Sequence, residues 1–226
     1  MHLHEFMTWL ESLESLESLE SLESLESLDP EIRRNRKEMI KHFSNLSRYS
    51  KWNAEHSMEV ARLARDFAKY LGLDFNKVAM SALSHDVGKI KISKDVLHKP
   101  GRLGDTEREI MDTHAITSGE ILRSLTGGHG KLARLVADYH HTKSHLLDIM
   151  VQKDQLSEDE VLLIKLITIC DIFEALTSSK RPYKEAKPKT DSLELMSKND
   201  IIDQKLFKSF EKWQRSEFAN EYRTKQ

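Results

Sequence analysis

Residues 161–173, VLLIKLITICDIF, are apolar at every position except Lys165, Thr168 and Asp171. Ser157 and Glu160 stand just ahead of the run at the spacing of a capping box, in which each side chain satisfies the other residue's backbone N–H. A helix that starts there is apolar nearly all round, and such a helix must be surrounded by other elements. Lys165 and Asp171 interrupt the run before it could span a bilayer. The stretch therefore reads as the central buried helix of a globular domain, and it raises one problem. A buried carboxylate without a partner is expensive, so Asp171 needs a cation.

Working outward from this helix, the rest of the chain also has helical periodicity. Val60, Ala64, Phe67 and Leu71 share a face, and His56 lies one turn before Val60 on it. Phe75, Val78 and Ala82 lead in the same way to His85. Thr106 and Glu109 predict a capping box for a helix whose inward face is Ile110, His114, Thr117, Ile121 and Leu125. Beyond the TGGHG break at 126–130, Leu132, Val136 and His140 follow at i+4 steps. Further caps are expected at Asp191 and Glu194, and Leu206, Phe207, Phe210 and Trp213 supply the inward side of a closing helix. No strand series competes, so the fold class is all-α.

The bulk composition fits a single soluble domain. The 226 residues are 38% hydrophobic and 32% charged, with a formal net charge of −2. Eight of the 37 acids fall in residues 1–30, which hold no Lys or Arg, leaving 29 acids against 35 bases beyond them. A modestly basic body suits anionic small molecules and is too dispersed to argue for DNA. Cys170 is the only cysteine, so no intrachain disulfide is possible and a cytoplasmic location is expected. No secretory signal or membrane span is evident. Residues 11–28 are six copies of Glu-Ser-Leu, and their leucines circle a helix instead of forming a stripe. We assign that leader, 1–29, no chemistry. Residues 30–52, beginning at Pro30, predict a basic helical extension with Ile32, Met39, Ile40, Phe43 and Leu46 on its apolar side, and the main domain is expected at 53–226. Residues 1–52 are also the expected place for a protein partner or self-association.

The ionisable residues carry the functional signal. In ALSHDVGKIKI, residues 82–92, His85, Asp86 and Lys89 could form a salt-bridged helix end, an acid–base pair, or metal ligands beside a phosphate-binding cation. A single histidine on an apolar face is ordinarily a hydrogen-bonded core residue. Here His56, His85, His114 and His140 each sit on the buried side of a different predicted helix, and Asp171 sits on the most apolar one. A metal centre would solve the burial of all of them together. Imidazole and carboxylate donors without thiolate suit iron, manganese or zinc.

His56, HDVGK at 85–89, VLHKPGRL at 96–103, His114, HH at 140–141 and DIFEALTSSKRPY at 171–183 together resemble the HD superfamily, in particular the HD-GYP cyclic-dinucleotide phosphodiesterases. The resemblance implies an HD-domain helical bundle. It further implies that His56, His85, Asp86 and Asp171 bind one divalent ion, that His114, His140 and His141 bind a second, and that Asp86 bridges them, the pair being iron or manganese. Some members hold a third metal through a Glu one turn before the first histidine. That position is Trp52 here, so two ions are expected, and the neighbouring Glu55 is expected to face solvent. Two ions about 3.5–4 Å apart can share a hydroxide at neutral pH and neutralise charge on a reacting phosphate. Lys89 would contact a phosphoryl oxygen, and Arg181 and Lys184 a second phosphate. Lys91, Lys94, Lys99 and Arg102 are expected to form a cationic rim.

The chain departs from the family after the paired histidines. It reads HHTKSHLLDIMVQKDQL, residues 140–156, without the glycine, tyrosine and proline of the family's loop. A helical or extended lid is expected there, with Lys143 and His145 as surface residues. The leading expectation is a two-metal phosphodiesterase that hydrolyses a cyclic dinucleotide, such as cyclic di-GMP, or another signalling nucleotide. A non-catalytic effector that retains the metals and a phosphohydrolase for other nucleotides remain as alternatives.

Overall fold

The computed structural model describes residues 29–153, 155–179 and 185–223, with side chains as far as 217. Its described residues form α-helices, two short 3₁₀ turns and no strand. In order these are α1 (Pro30–Tyr49), α2 (Lys51–Tyr70), α3 (Phe75–Ser84), α4 (Lys94–Leu97), α5 (Asp105–Ile121), α6 (Gly127–Tyr139), α7 (Ser144–Gln152), α8 (Glu158–Thr177), α9 (Lys189–Met196) and α10 (Gln204–Arg223). The 3₁₀ turns cover Val87–Lys91 and Leu122–Ser124. The Glu-Ser-Leu leader lies outside the described residues, and so do Arg181 and Lys184.

The central helix is α8. Its capping box forms as expected, with Glu160 N donating to Ser157 Oγ at 3.2 Å and Ser157 N to Glu160 Oε2 at 3.0 Å. Ile164, Leu166, Ile167, Ile169 and Cys170 have no solvent exposure. Burial, reinforced by Asp171 and Asp66, pushes the Cys170 thiol well above its usual range, so it behaves as a small apolar side chain. Helices α2, α6, α7, α9 and α10 pack on α8. The closing helix α10 works through rings: Phe210 lies edge-on to Phe67 of α2 at 5.1 Å and to Phe173 of α8 at 5.2 Å, and Trp213 stacks on Phe67 at 5.3 Å.

Helix α1 belongs to the packed body. Asp29 caps it by accepting from Glu31 N at 2.7 Å, and Pro30 occupies the first turn, where its missing N–H costs nothing. Met39, Phe43 and Leu46 are buried, and the buried Asn35 amide donates to Thr126 O at 2.5 Å, tying α1 to the start of α6.

Three expectations about local structure need correction. Helix α5 starts at Asp105, with Gly104 as its cap, and Glu107 accepts from Gly104 N at 2.7 Å, so Thr106 and Glu109 are not the capping pair. Its buried face is His114, Ala115, Ser118 and Gly119, whereas Ile110 is 41% exposed and Ile116 66%. The cause is close backbone packing: Gly88 N donates to Ser118 Oγ at 2.7 Å, and a Cβ on Gly88 would lie 2.3 Å from His114 O. Small residues, not large apolar ones, permit that approach. Helix α9 likewise starts earlier than expected, capped at Pro188, with Asp191 inside its first turn.

Candidate metal centre

Five helices deliver seven donor residues to one interior point. His56 comes from the middle of α2, His85 from the C-cap of α3 and Asp86 from the residue after it. His114 comes from α5, His140 and His141 from the end of α6, and Asp171 from α8. All but His141 are at least nine-tenths buried. Asp86 is central. Its Oδ2 lies 3.3 Å from His85 Nε2 and 3.6 Å from His56 Nε2, while its Oδ1 lies 3.1 Å from His114 Nε2 and 3.9 Å from His140 Nε2. Asp171 Oδ1 lies 2.9 Å from His56 Nε2 and 3.8 Å from His85 Nε2. On the other side, His141 Nε2 is 3.1 Å from His114 Nε2. The donors fall into one group of His56, His85 and Asp171 and another of His114, His140 and His141, joined by a third of His85, Asp86 and His140, with Asp86 Oδ2 nearer the first and Oδ1 nearer the second.

The ring orientations suit metal binding. His85 Nδ1 donates to Ala82 O at 2.6 Å, His114 Nδ1 to Met111 O at 2.6 Å, and His140 Nδ1 to the carbonyls of Val136 and Ala137 at 3.0 Å. Those bonds fix the tautomer and leave each Nε2 as a lone pair directed inward. His85 Nε2, His140 Nε2 and Asp86 Oδ1 are buried and make no hydrogen bond. Orphaned buried polar atoms are rare, and three aimed at one point fit a bound cation.

The electrostatics point the same way. Burial raises the Asp86 carboxyl, but His85, Lys89 and the close approach of His114 more than offset it and hold it well below its usual range. Asp171 is also held well below, because His56 and His85 outweigh its burial. Burial keeps His140, crowded by His141 and His85, well below the ordinary histidine value, so its ring is neutral at neutral pH. His85 is raised, since Asp86 and Asp171 overcome its desolvation. The interior favours positive charge beside two ionised carboxylates.

The family model for the HD domain matches residues 53–203, two thirds of the chain. The chain belongs to the HD-domain family. It is 35% identical over 169 residues to a 3'3'-cGAMP-specific phosphodiesterase of Vibrio cholerae serotype O1, an alignment covering 72% of this chain and 35% of that protein. It is 30% identical over 161 residues to a cyclic di-GMP phosphodiesterase response regulator of Xanthomonas campestris pv. campestris, covering 69% of this chain and 42% of the relative. The chain therefore spans only about a third to two-fifths of these relatives. Among solved structures, the HD domain of the phosphodiesterase PgpH from L. monocytogenes aligns with a TM-score of 0.57 at 18% identity, covering 80% of this chain and 98% of that one. That likeness concerns the fold.

Beside the donor cluster of this HD domain lies a cavity of about 450 Å³, whose wall includes His56, His114, His141 and Asp171. Lys89 lines it too, with Nζ 2.5 Å from Asp86 Oδ2. Of the expected rim, Lys99 and Arg102 line the cavity, and Lys99 pairs with Glu107 at 2.7 Å. Lys91 and Lys94 do not line it; Lys94 sits over the Tyr49 ring at 5.2 Å. Arg108 and Asp112 of α5 also face the cavity and had no distinctive sequence signal. Trp52, one turn before His56, lies edge-on to His98 at 5.1 Å. Glu55, expected to face solvent, is only 15% exposed and lies 3.7 Å from Lys51.

The segment after the paired histidines is helical, as α7, but it is not a lid. It packs on α8 with Leu147 buried and Asp148 on Lys165 at 2.5 Å, Ser144 donates to Asp203 just ahead of α10 at 3.3 Å, and none of its residues lines the cavity. Lys143 pairs with Asp200 at 2.5 Å and His145 is exposed, both as surface residues. One residue that sequence patterning missed is Glu174, buried on α8 against His56 Nδ1. Its spacing from Asp171 is the available signal: an acid at i+3 lies on the same helix face.

Proposed function

We propose that the protein is a two-metal phosphodiesterase acting on a cyclic dinucleotide. His56, His85, Asp86 and Asp171 hold one ion, His114, His140 and His141 hold the other, and Asp86 bridges them. The observation that carries this reading is the division of the Asp86 oxygens, Oδ2 toward His56 and His85 and Oδ1 toward His114 and His140. Seven oxygen and nitrogen donors without thiolate suit iron or manganese. When bound, the ions supply a nucleophile from water at neutral pH and neutralise charge on the scissile phosphate.

The chain's own residues do the rest. Lys89 neutralises Asp86 in this structure, and once cations take over that role its ammonium is free to turn into the cavity and contact a non-bridging phosphoryl oxygen. Lys99, Arg102 and Arg108 along the cavity wall attract a polyanion and orient it. Arg181 and Lys184, in the RPYK segment, are assigned to a second phosphate. The activities of the relatives support the cyclic-dinucleotide class, and a cytoplasmic location fits a signalling nucleotide.

The test is metal analysis of anaerobically purified protein together with turnover of a panel of cyclic dinucleotides, cyclic mononucleotides and simple phosphomonoesters. Two ions per chain and cleavage confined to cyclic dinucleotides are expected. A second reading, an effector that binds nucleotide without cleaving it, is favoured by α7, which packs away from the cavity in place of the family's loop. Binding without turnover at full metal occupancy would select it.

A further inference from the structure

Three of the buried histidines orient themselves through backbone carbonyls on their own helices, and His56 is held across helices. Its Nδ1 meets a carboxylate from another helix, Glu174 Oε2 on α8. Glu174 lies one turn beyond Asp171, and both are more than nine-tenths buried. One face of α8 therefore holds the His56 ring at both nitrogens, with Asp171 Oδ1 at 2.9 Å from Nε2 and Glu174 on Nδ1.

We infer that Glu174 is a positioning residue for the metal centre, acting through His56. The carboxylate accepts the Nδ1 proton, which fixes the tautomer and leaves the Nε2 lone pair for the ion. A charged acceptor makes a bond roughly twice as strong as a neutral one and raises the basicity of the ring more than a carbonyl can. Because Glu174 and Asp171 share one rigid helix, their spacing sets the position of His56 relative to a ligand from its own face. The inference rests on the two-metal reading above.

The experiment is Mn(II) titration of the full chain, read as affinity and stoichiometry, for wild type, Glu174→Gln, Glu174→Ala, His56→Ala and the double variant His56→Ala/Glu174→Ala. Glu174→Ala is expected to weaken one of the two ions by about 10–100-fold and leave the other unchanged. Glu174→Gln keeps an acceptor oxygen without the charge and is expected to lose less; it also serves where the alanine variant does not fold. In the His56→Ala background, Glu174→Ala should add no further loss, since its effect passes through the missing ring. Wild-type affinity in both Glu174 variants would overturn the inference while leaving the metal reading intact. So would an equal loss in the His56→Ala background, which a purely structural role predicts. Absence of Mn(II) binding by the wild type would overturn the metal reading and this inference with it.

Discussion

Gly88→Ala tests how tightly the HDVGK turn is held against α5. The added Cβ would stand 2.3 Å from His114 O and 2.5 Å from Ser118 N, both backbone atoms that cannot rotate away. Ordinary carbon–oxygen contact begins about 1 Å farther out, so the turn and α5 must separate by roughly that amount, in the range where overpacking costs about 1–3 kcal/mol. The Gly88 N to Ser118 Oγ bond is lost in the process, adding about 1 kcal/mol. Urea denaturation should therefore show a loss of roughly 2–4 kcal/mol at unchanged m. The same displacement moves Asp86 relative to His114, which now stand 3.1 Å apart. A misplacement of about 1 Å is worth on the order of 100-fold in rate, so turnover should fall further than stability alone explains. A Gly88→Ala protein with wild-type midpoint and wild-type metal content would refute the packing argument.

Other outcomes follow from the same structure. His114→Ala and His140→Ala should each remove about one metal ion per chain, and metal content equal to wild type in both would exclude the assignment of that ion. Lys89→Ala should keep both ions while slowing turnover by about 100-fold or more, as expected for loss of a charge-stabilising group; loss of metal instead would make Lys89 structural. Lys165→Met should destabilise the protein by about 1–2 kcal/mol, because it leaves Asp203 and Asp148 without their cation, the penalty being moderated by the exposure of Asp148. Burial raises the Asp203 carboxyl, but Leu206 N and Lys165 hold it below its usual value. Its stabilisation is thus complete above the unfolded value of about 3.9 and fades as pH falls through the lower folded value. The stability gap between wild type and Asp203→Asn should be full at pH 7 and shrink below about pH 4, and a gap that widens with acid would contradict it.

The helices that the sequence revealed are those packed by large side chains. Val60, Ala64 and Phe67 mark α2, and Phe207, Phe210 and Trp213 mark α10, because their burial repeats at the helical period. The face of α5 was hidden for the opposite reason. Its contact with the glycine turn is made by the His114 carbonyl and by Ser118, while Gly119 abuts Asp138 of α6, and a hydrophobic pattern does not register backbone approaching backbone. The course of α7 was equally hidden, since it rests on the buried Leu147 and on Asp148 pairing with Lys165, contacts between distant residues that no local period encodes. His56, His85, His114, His140 and Asp171 stood out because histidines and acids on apolar faces are conspicuous, Asp86 and His141 were reached through the family resemblance, and the structure brings all seven together. Glu174 and Arg108 did not, because charged residues on a helix ordinarily point to water.

Anomalous diffraction from crystals of the Mn(II)-loaded protein tests the central claim most directly. Two peaks should appear, one among His56, His85 and Asp171 and one among His114, His140 and His141, with Asp86 between them. A single peak, or density away from Asp86, would contradict it.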